Sequence, residues 1–216
     1  FAHLYGGVWF LYDSNRSMPL EGETNFKGLK KAYAKGIELR GKTLGIIGFG
    51  RIGQSLAEYA IGCGMNVTAV DMFTEPRNLS IQLGNGISAS ATITPITSLE
   101  EGIKNADYIS LHVPKQADGS AVISKKEFAI MKDGVRIANA ARGGVINEDD
   151  LLDALNTGKV AGIALDVFEN EPNPRKELLN HPRIACTPHI GAATGEAQDR
   201  IGTELASLII EKFGTF

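Results

Sequence analysis

Several short stretches of this sequence end in residues that can move protons or hold anions. "NAARGG" carries Arg142, "DVFENEP" carries Asp166, Glu169 and Glu171, "TPHIG" carries His189, and "HVPK" carries His112. A histidine titrates near neutral pH and can take or give a proton. A carboxylate beside it orients the ring and favours its charged form. An arginine offers a planar fork that grips a carboxylate through two parallel hydrogen bonds. Together these types suit hydride transfer at a hydroxyl-bearing carbon next to a carboxylate, provided a hydride carrier sits nearby. Alone, His189 reads as a loop residue that satisfies a backbone carbonyl. Its neighbours in space decide between the two.

The elements that would position these residues follow from hydrophobic patterning. From Lys42 onward, short apolar runs alternate with helical segments, the signature of a parallel α/β sheet. Strands are expected near 43–47, 66–70, 107–111, 134–138, 160–165 and 183–186, with a weaker one near 91–93. Helices are expected near 51–62, 99–104, 124–131, 147–157 and 195–212. In an open parallel sheet, ligands bind outside the carboxyl ends of the strands. His112, Arg142, Asp166 with the two glutamates, and His189 each follow such a strand end. They are therefore predicted to share one edge of the sheet.

The first strand runs into Gly48-x-Gly50-x-x-Gly53 and then a helix, and the second strand ends in Asp71. Strand, glycine loop and helix in this order form a dinucleotide-binding unit. Gly48 allows the tight turn, Gly50 lets the backbone approach a pyrophosphate, and Gly53 lets the helix pack on the strand. The helix N-terminus faces the phosphates, and Arg51, inside the loop beside Ile52, adds a cation for them. Asp71 lies roughly 20 residues on, where a carboxylate accepts hydrogen bonds from ribose hydroxyls and repels a 2′-phosphate. NAD is therefore expected over NADP, with Arg77 the residue that would soften that preference.

Composition bounds the remaining choices. The chain has 216 residues, is 43% hydrophobic, and carries a net charge of −3. No basic tail or patch points to nucleic acid or a membrane surface. No apolar run reaches transmembrane length. The two cysteines, Cys63 and Cys186, stand in no metal-ligand spacing, so no metal site is expected, and they suit a reducing, cytoplasmic compartment. No Tyr-x-x-x-Lys pattern occurs that would supply an alternative proton donor. The opening "FAHLYGGVWFLYDSNR" has apolar residues at helical spacing and no basic leader, so the chain is expected to start inside a helix ending near Asn15, with residues missing upstream. Residues 1–20 are read as an inter-domain helix, 21–194 as a Rossmann-type doubly wound NAD-binding domain, and 195–216 as a helix returning towards a largely missing substrate domain.

The segments "GKTLGIIGFGRIG", "SLHVP", "NAARGGVINEDDLLDAL", "GIALDVFENEP" and "TPHIGAATGEAQDRIG" resemble the D-isomer-specific 2-hydroxyacid dehydrogenases. Within that family they are most similar to the branch that oxidises 3-phosphoglycerate, the "ATGEAQ" segment with Gln198 in particular. The resemblance runs along almost the whole chain. It implies that Arg142 anchors the substrate carboxylate, that His189 is the acid/base, and that Glu171 is its carboxylate partner. It also implies that Asp166 meets the nicotinamide carboxamide. His112, Val113, Pro114, Ala140, Ala141, Gly191 and Ala192 would line the cofactor, together with Arg142 and His189. The implied partners are a small 2-hydroxy or 2-oxo acid and a second copy of the chain, joined through the nucleotide-binding domain. One departure is "HVPKQADG", which lacks the second Thr of the family pattern.

Two other readings use the same residues. One is a reductase of the same family acting on glyoxylate, hydroxypyruvate or lactate. The other is a non-enzymatic NAD-sensing protein resembling the corepressors built on this fold. His3 and His181 are read as bystanders and Glu169 as solvent-facing. Trp9 is read as packing between domains or subunits, and "KGLKKAYAK" as a solvated face.

Overall fold

The apolar runs become strands that bury both faces. In β1 (Thr43–Ile47), Leu44 and Ile46 point to one side and Ile47 to the other. The same alternation recurs in β5 (Tyr108–Leu111), β6 (Val135–Asn139), β7 (Val160–Leu165) and β8 (Ile184–Cys186). Near-continuous apolar strands of this kind need cover on both faces, which helices between parallel strands provide. The computed structural model describes the backbone of residues 8–32 and 37–214, and the side chains from residue 20 onward within those ranges.

With β2 (Asn66–Val70), the sheet has the order β2-β1-β5-β6-β7-β8, all parallel. The chain winds outward from β1 in both directions, so the order reverses between β1 and β5. That switch point is where doubly wound sheets take ligands. A parallel bridge between Val70 and Ile96 adds the rudiment of a further strand beyond β2. The connecting helices are α2 (Arg51–Gly62), α3 (Leu99–Ile103), α4 (Lys125–Ile130), α5 (Glu148–Thr157) and α6 (Lys176–Leu179). No helix among the described residues is long and apolar enough to cross a membrane.

Register sets up the site. One row across the sheet reads Ala69, Ile46, Ser110, Ala138, Ala164, Ala185. Apart from Ile46 these are small side chains, which leave the floor of a crevice open. The next row reads Val70, Ile47, Leu111, Asn139, Leu165, Cys186. One residue further, the strands release Asp71, Gly48, His112, Ala140, Asp166 and Thr187 together. The ladder continues into this row: the amides of Gly48, His112, Asp166 and Thr187 donate to Val70, Ile47, Asn139 and Leu165 at 2.7–3.0 Å.

Two expectations are corrected. The first helix does not end near Asn15: α1 runs Val8–Ala32, with a kink at Asn25 (φ −131°, ψ 28°). The helix passes through Pro19 and Gly22, residues that disfavour helix interiors, lies against β7 and β8, and buries Leu29. Lys30 and Lys31 in its last turn complement the helix dipole. The weak strand at 91–93 is the end of an antiparallel hairpin, β3 (Arg77–Gly84) and β4 (Ile87–Ile93). Asn85 and Gly86 both have positive φ (51° and 75°), the geometry of a two-residue hairpin turn that Asn-Gly favours. Leu79 and Ile81 bury beneath it, facing α2. His3 and the N-terminal residues up to Gly7 lie outside the described residues, as does the side chain of Trp9. In the basic stretch, Lys27, Lys30 and Lys31 are exposed.

Candidate active site

The glycine loop is shaped by close approach. Gly48 has φ +93°, and a Cβ there would stand 2.6 Å from the His112 carbonyl oxygen. A Cβ on Gly53 would stand 2.3 Å from the Gly48 carbonyl oxygen. Gly50 faces open space instead. The first helical bond of α2 runs from the Gln54 amide to the Gly50 carbonyl at 2.9 Å. The amides of Arg51, Ile52 and Gly53 thus precede the helical ladder and face outward at the positive end of its dipole. An open glycine in front of such amides fits a diphosphate. Asp71 is pinned at the rim: its Oδ2 accepts from the Phe49 amide at 2.6 Å and its Oδ1 from the Phe73 amide at 3.0 Å. Each oxygen keeps a further lone pair for a hydroxyl. Arg77 turns to Glu75, 3.7 Å away.

A crevice of about 590 Å³ opens from this loop across the sheet edge. Its lining includes Ile52, His112, Ala140, Asp166, Gly191 and Ala192. His112 is largely enclosed, and burial pushes its imidazole down to about 4, so the ring is neutral at physiological pH. Its Nε2 meets Ser110 Oγ at 2.9 Å. This suits a lining residue and not a proton shuttle. Val113 beside it is half-buried and Pro114 exposed.

At the far end of that edge, His189 Nδ1 lies 2.8 Å from Glu171 Oε2. An ionised carboxylate only accepts, so Nδ1 carries the proton and Nε2 is left to exchange one. Hydrogen bonds from the imidazole and then from the Phe168 amide, which donates to Oε1 at 2.9 Å, hold the Glu171 carboxyl below its ordinary range. His189 adopts φ +54°, a left-handed conformation uncommon outside glycine. What holds that turn is Asp166. Its Oδ1 accepts from the Thr187 hydroxyl (2.6 Å) and the Ile190 amide (2.8 Å), and its Oδ2 from the Gly191 amide (2.8 Å). Burial alone would raise the Asp166 carboxyl, but these donors outweigh it and bring it below the usual carboxylate range.

Arg142 follows β6 and is exposed, with Nη1 on the Ala141 carbonyl at 2.6 Å. Asn139 braces this loop: its Oδ1 accepts from the Ala141 amide and its Nδ2 donates to the Arg142 carbonyl, both at 3.1 Å. Among the described residues, no hydrogen bond or ion pair joins Arg142 to His189 or Glu171. The structure therefore brings His189, Glu171 and Asp166 together and leaves the Arg142 guanidinium turned back on its own loop. Glu169 is exposed, as expected, and its amide donates to Glu148 Oε1 at 2.9 Å. His181 accepts from the Arg183 amide at its own turn.

Sequence reasoning missed two supports. The bracing of the His189 turn by Asp166 was hidden because one carboxylate after a strand looks like a ligand contact. Gly143 was passed over in a glycine-rich chain. A Cβ there would stand only 1.8 Å from the Phe168 carbonyl oxygen. Gly143 thus lets the Arg142 loop press onto the segment whose amide holds Glu171.

Residues 10–191 match the family described as D-isomer specific 2-hydroxyacid dehydrogenase, NAD binding domain. The chain belongs to this family. It is 42% identical over 188 residues to a hydroxypyruvate reductase of Thermotoga maritima, covering 86% of this chain and 57% of that protein. It is 42% identical over 183 residues to a D-3-phosphoglycerate dehydrogenase of Bacillus subtilis, covering 84% of this chain and 33% of that protein. Among solved structures, the holo form of D-mandelate dehydrogenase from Rhodotorula graminis aligns with a TM-score of 0.79 at 30% identity, covering 96% of this chain and 59% of that one. The chain thus spans from a third to under three fifths of these relatives. As an NAD-binding domain of the D-isomer specific 2-hydroxyacid dehydrogenases, it takes NAD, and the open glycine loop, the outward amides of α2 and Asp71 are the residues that fit it.

Proposed function

We propose that this domain serves an NAD-dependent dehydrogenase that interconverts a D-2-hydroxy acid and its 2-oxo acid. The observation that carries this reading is the 2.8 Å pairing of His189 with Glu171, on the turn whose Gly191 lines the cofactor crevice. Bound NAD supplies the hydride acceptor or donor. His189 takes the hydroxyl proton through Nε2 during oxidation and returns it during reduction. Glu171 holds the ring in the tautomer that leaves Nε2 free and offsets the charge that forms on it. Asp166 positions the His189 turn. Arg142, freed from the Ala141 carbonyl, grips the substrate carboxylate with its planar fork.

The substrate we favour is 3-phosphoglycerate. Its support is the "ATGEAQ" segment and the similarity to D-3-phosphoglycerate dehydrogenases, including one from Arabidopsis thaliana at 43% identity. The hydroxypyruvate reductase relative supports the runner-up, a reductase of hydroxypyruvate. The test is NADH oxidation by the protein carrying this domain with its substrate half, against 3-phosphohydroxypyruvate, hydroxypyruvate, glyoxylate and pyruvate. The highest kcat/KM is expected for 3-phosphohydroxypyruvate. A preference for hydroxypyruvate selects the runner-up, and no turnover of any 2-oxo acid refutes the dehydrogenase reading.

A further inference from the structure

The guanidinium of Arg51, in the glycine loop, already has a partner. Its Nη1 and Nη2 donate to Glu204 Oε1 and Oε2 at 3.0 and 3.2 Å. Glu204 belongs to α7 (Gly195–Phe213), a helix capped by Thr194 that buries none of its residues. Arg51 and Glu204 are 86% and 52% exposed, so neither is held there by packing. Arg51, Gly50 and Gly53 share a crevice of about 620 Å³ with Arg200 and Glu204. The outward amides of α2 open onto that same crevice. A carboxylate and a phosphate both seek the two-pronged face of a guanidinium. With both terminal nitrogens on Glu204, Arg51 cannot give that face to a second anion.

We propose that Glu204 is an internal rival of the cofactor diphosphate for Arg51. It holds the guanidinium across the crevice when no diphosphate is bound and must be displaced when one arrives. The proposal rests on NAD lying over the glycine loop. Glu204 also brings a negative charge close to where the phosphates would lie, so it opposes binding by repulsion as well as by competition. The pairing is mutual: the Arg51 contact holds the Glu204 carboxyl below its ordinary range, and Glu204 raises the guanidinium of Arg51. Arg200, one turn earlier on α7, presents a cation to the same crevice. Glu204 therefore acts against a local field that otherwise favours anions. The rival weakens NAD affinity and speeds release without touching the reacting carbon.

Calorimetric titration of the chain with NAD, ADP-ribose and adenosine tests this, using the parent, Glu204→Gln, Arg51→Gln and the double variant at low ionic strength. Both residues are exposed, so neither change disturbs the core. Glu204→Gln is expected to bind NAD and ADP-ribose about two- to five-fold more tightly, the range of an exposed ion pair. Adenosine, which has no phosphate, is expected to bind equally to both. The gain is expected to be smaller in the Arg51→Gln background, where only the repulsion by Glu204 is left to remove, and to shrink with added salt. If Glu204→Gln binds NAD no more tightly than the parent, or gains equally without Arg51, the rival is overturned while the cofactor site stands. A parent chain that binds no NAD overturns the cofactor placement and the rival with it.

Discussion

Gly191 and Asp166 meet with no room between them. The Gly191 amide donates to Asp166 Oδ2 at 2.8 Å, and a Cβ on Gly191 would stand 2.9 Å from that same oxygen. The carboxylate cannot move aside, because its other oxygen is fixed by Thr187 and Ile190. Gly191→Ala is therefore expected to displace the turn that carries His189. We expect a stability loss of about 1–3 kcal/mol, as for other overpacked sites, read by urea denaturation. Dehydrogenase activity of the protein with its substrate half should fall further than NAD affinity does.

Gly143 is tighter still. Its missing Cβ is the only reason the Arg142 loop can lie against the Phe168 carbonyl, which is backbone and cannot swing away. Gly143→Ala is expected to cost more than Gly191→Ala and to lower soluble yield. A Gly143→Ala protein with the parent's melting temperature would contradict this packing.

The pairing of His189 with Glu171 predicts separable effects. His189→Asn removes the proton carrier and should lower kcat by ~10²–10⁴-fold, the usual contribution of a positioned acid/base, with NAD binding intact. Glu171→Gln keeps a side chain near Nδ1 but can offer either its oxygen or its amide there. It should retain part of the activity and shift the pH profile of reduction to lower pH. Steady-state kinetics across pH, beside NAD titration, distinguishes the two.

Asp71 serves two tasks at the crevice rim, since it holds the Phe49 and Phe73 amides and presents the carboxylate expected at the ribose. Asp71→Ala should weaken NAD binding and narrow the gap between NAD and NADP. Equal affinity of the parent for both cofactors would refute this assignment.

Glu148 opens α5 almost fully buried, with Oε2 lacking a hydrogen-bond partner among the described residues. Burial raises its carboxyl above the ordinary value. The folded state therefore binds this proton more readily than the unfolded chain does. The stability this group contributes is full below its unfolded value of about 4.3 and is lost as pH rises through its higher folded value. Glu148→Gln keeps Oε1 for the Glu169 amide and removes the charge. It should match or exceed the parent's melting temperature at neutral pH, with the difference narrowing under acid conditions.

The sheet edge was legible because strand ends are marked by apolar runs, and one register row carries Asp71, Gly48, His112, Ala140, Asp166 and Thr187 past all six strands. The hairpin was equally written in the sequence, in the alternation of Leu79 and Ile81 with polar neighbours around Asn85-Gly86, but only its end, near 91–93, reads as a strand on hydrophobic runs alone. The extent of α1 was not legible, since Pro19 and Gly22 break helices on average and packing against β7 and β8 overrides them here. The hold of Asp166 on the His189 turn and the seat of Glu204 on Arg51 depend on which groups meet across 21 to 153 residues of chain. No local pattern reports that.

The hairpin also bears on how quickly the sheet forms. The two strands flanking the switch point, β1 and β5, are tied by the Thr43 amide and Asp107 Oδ2, 64 residues apart. Closing a floppy loop of that span is slow, and rates fall as contacts become more distant in sequence. β3 and β4 pair locally through a two-residue turn, and α2 forms within its own segment. Both shorten the free chain before β5 arrives, so the decorated connection delays assembly of the central strands less than its length alone would suggest.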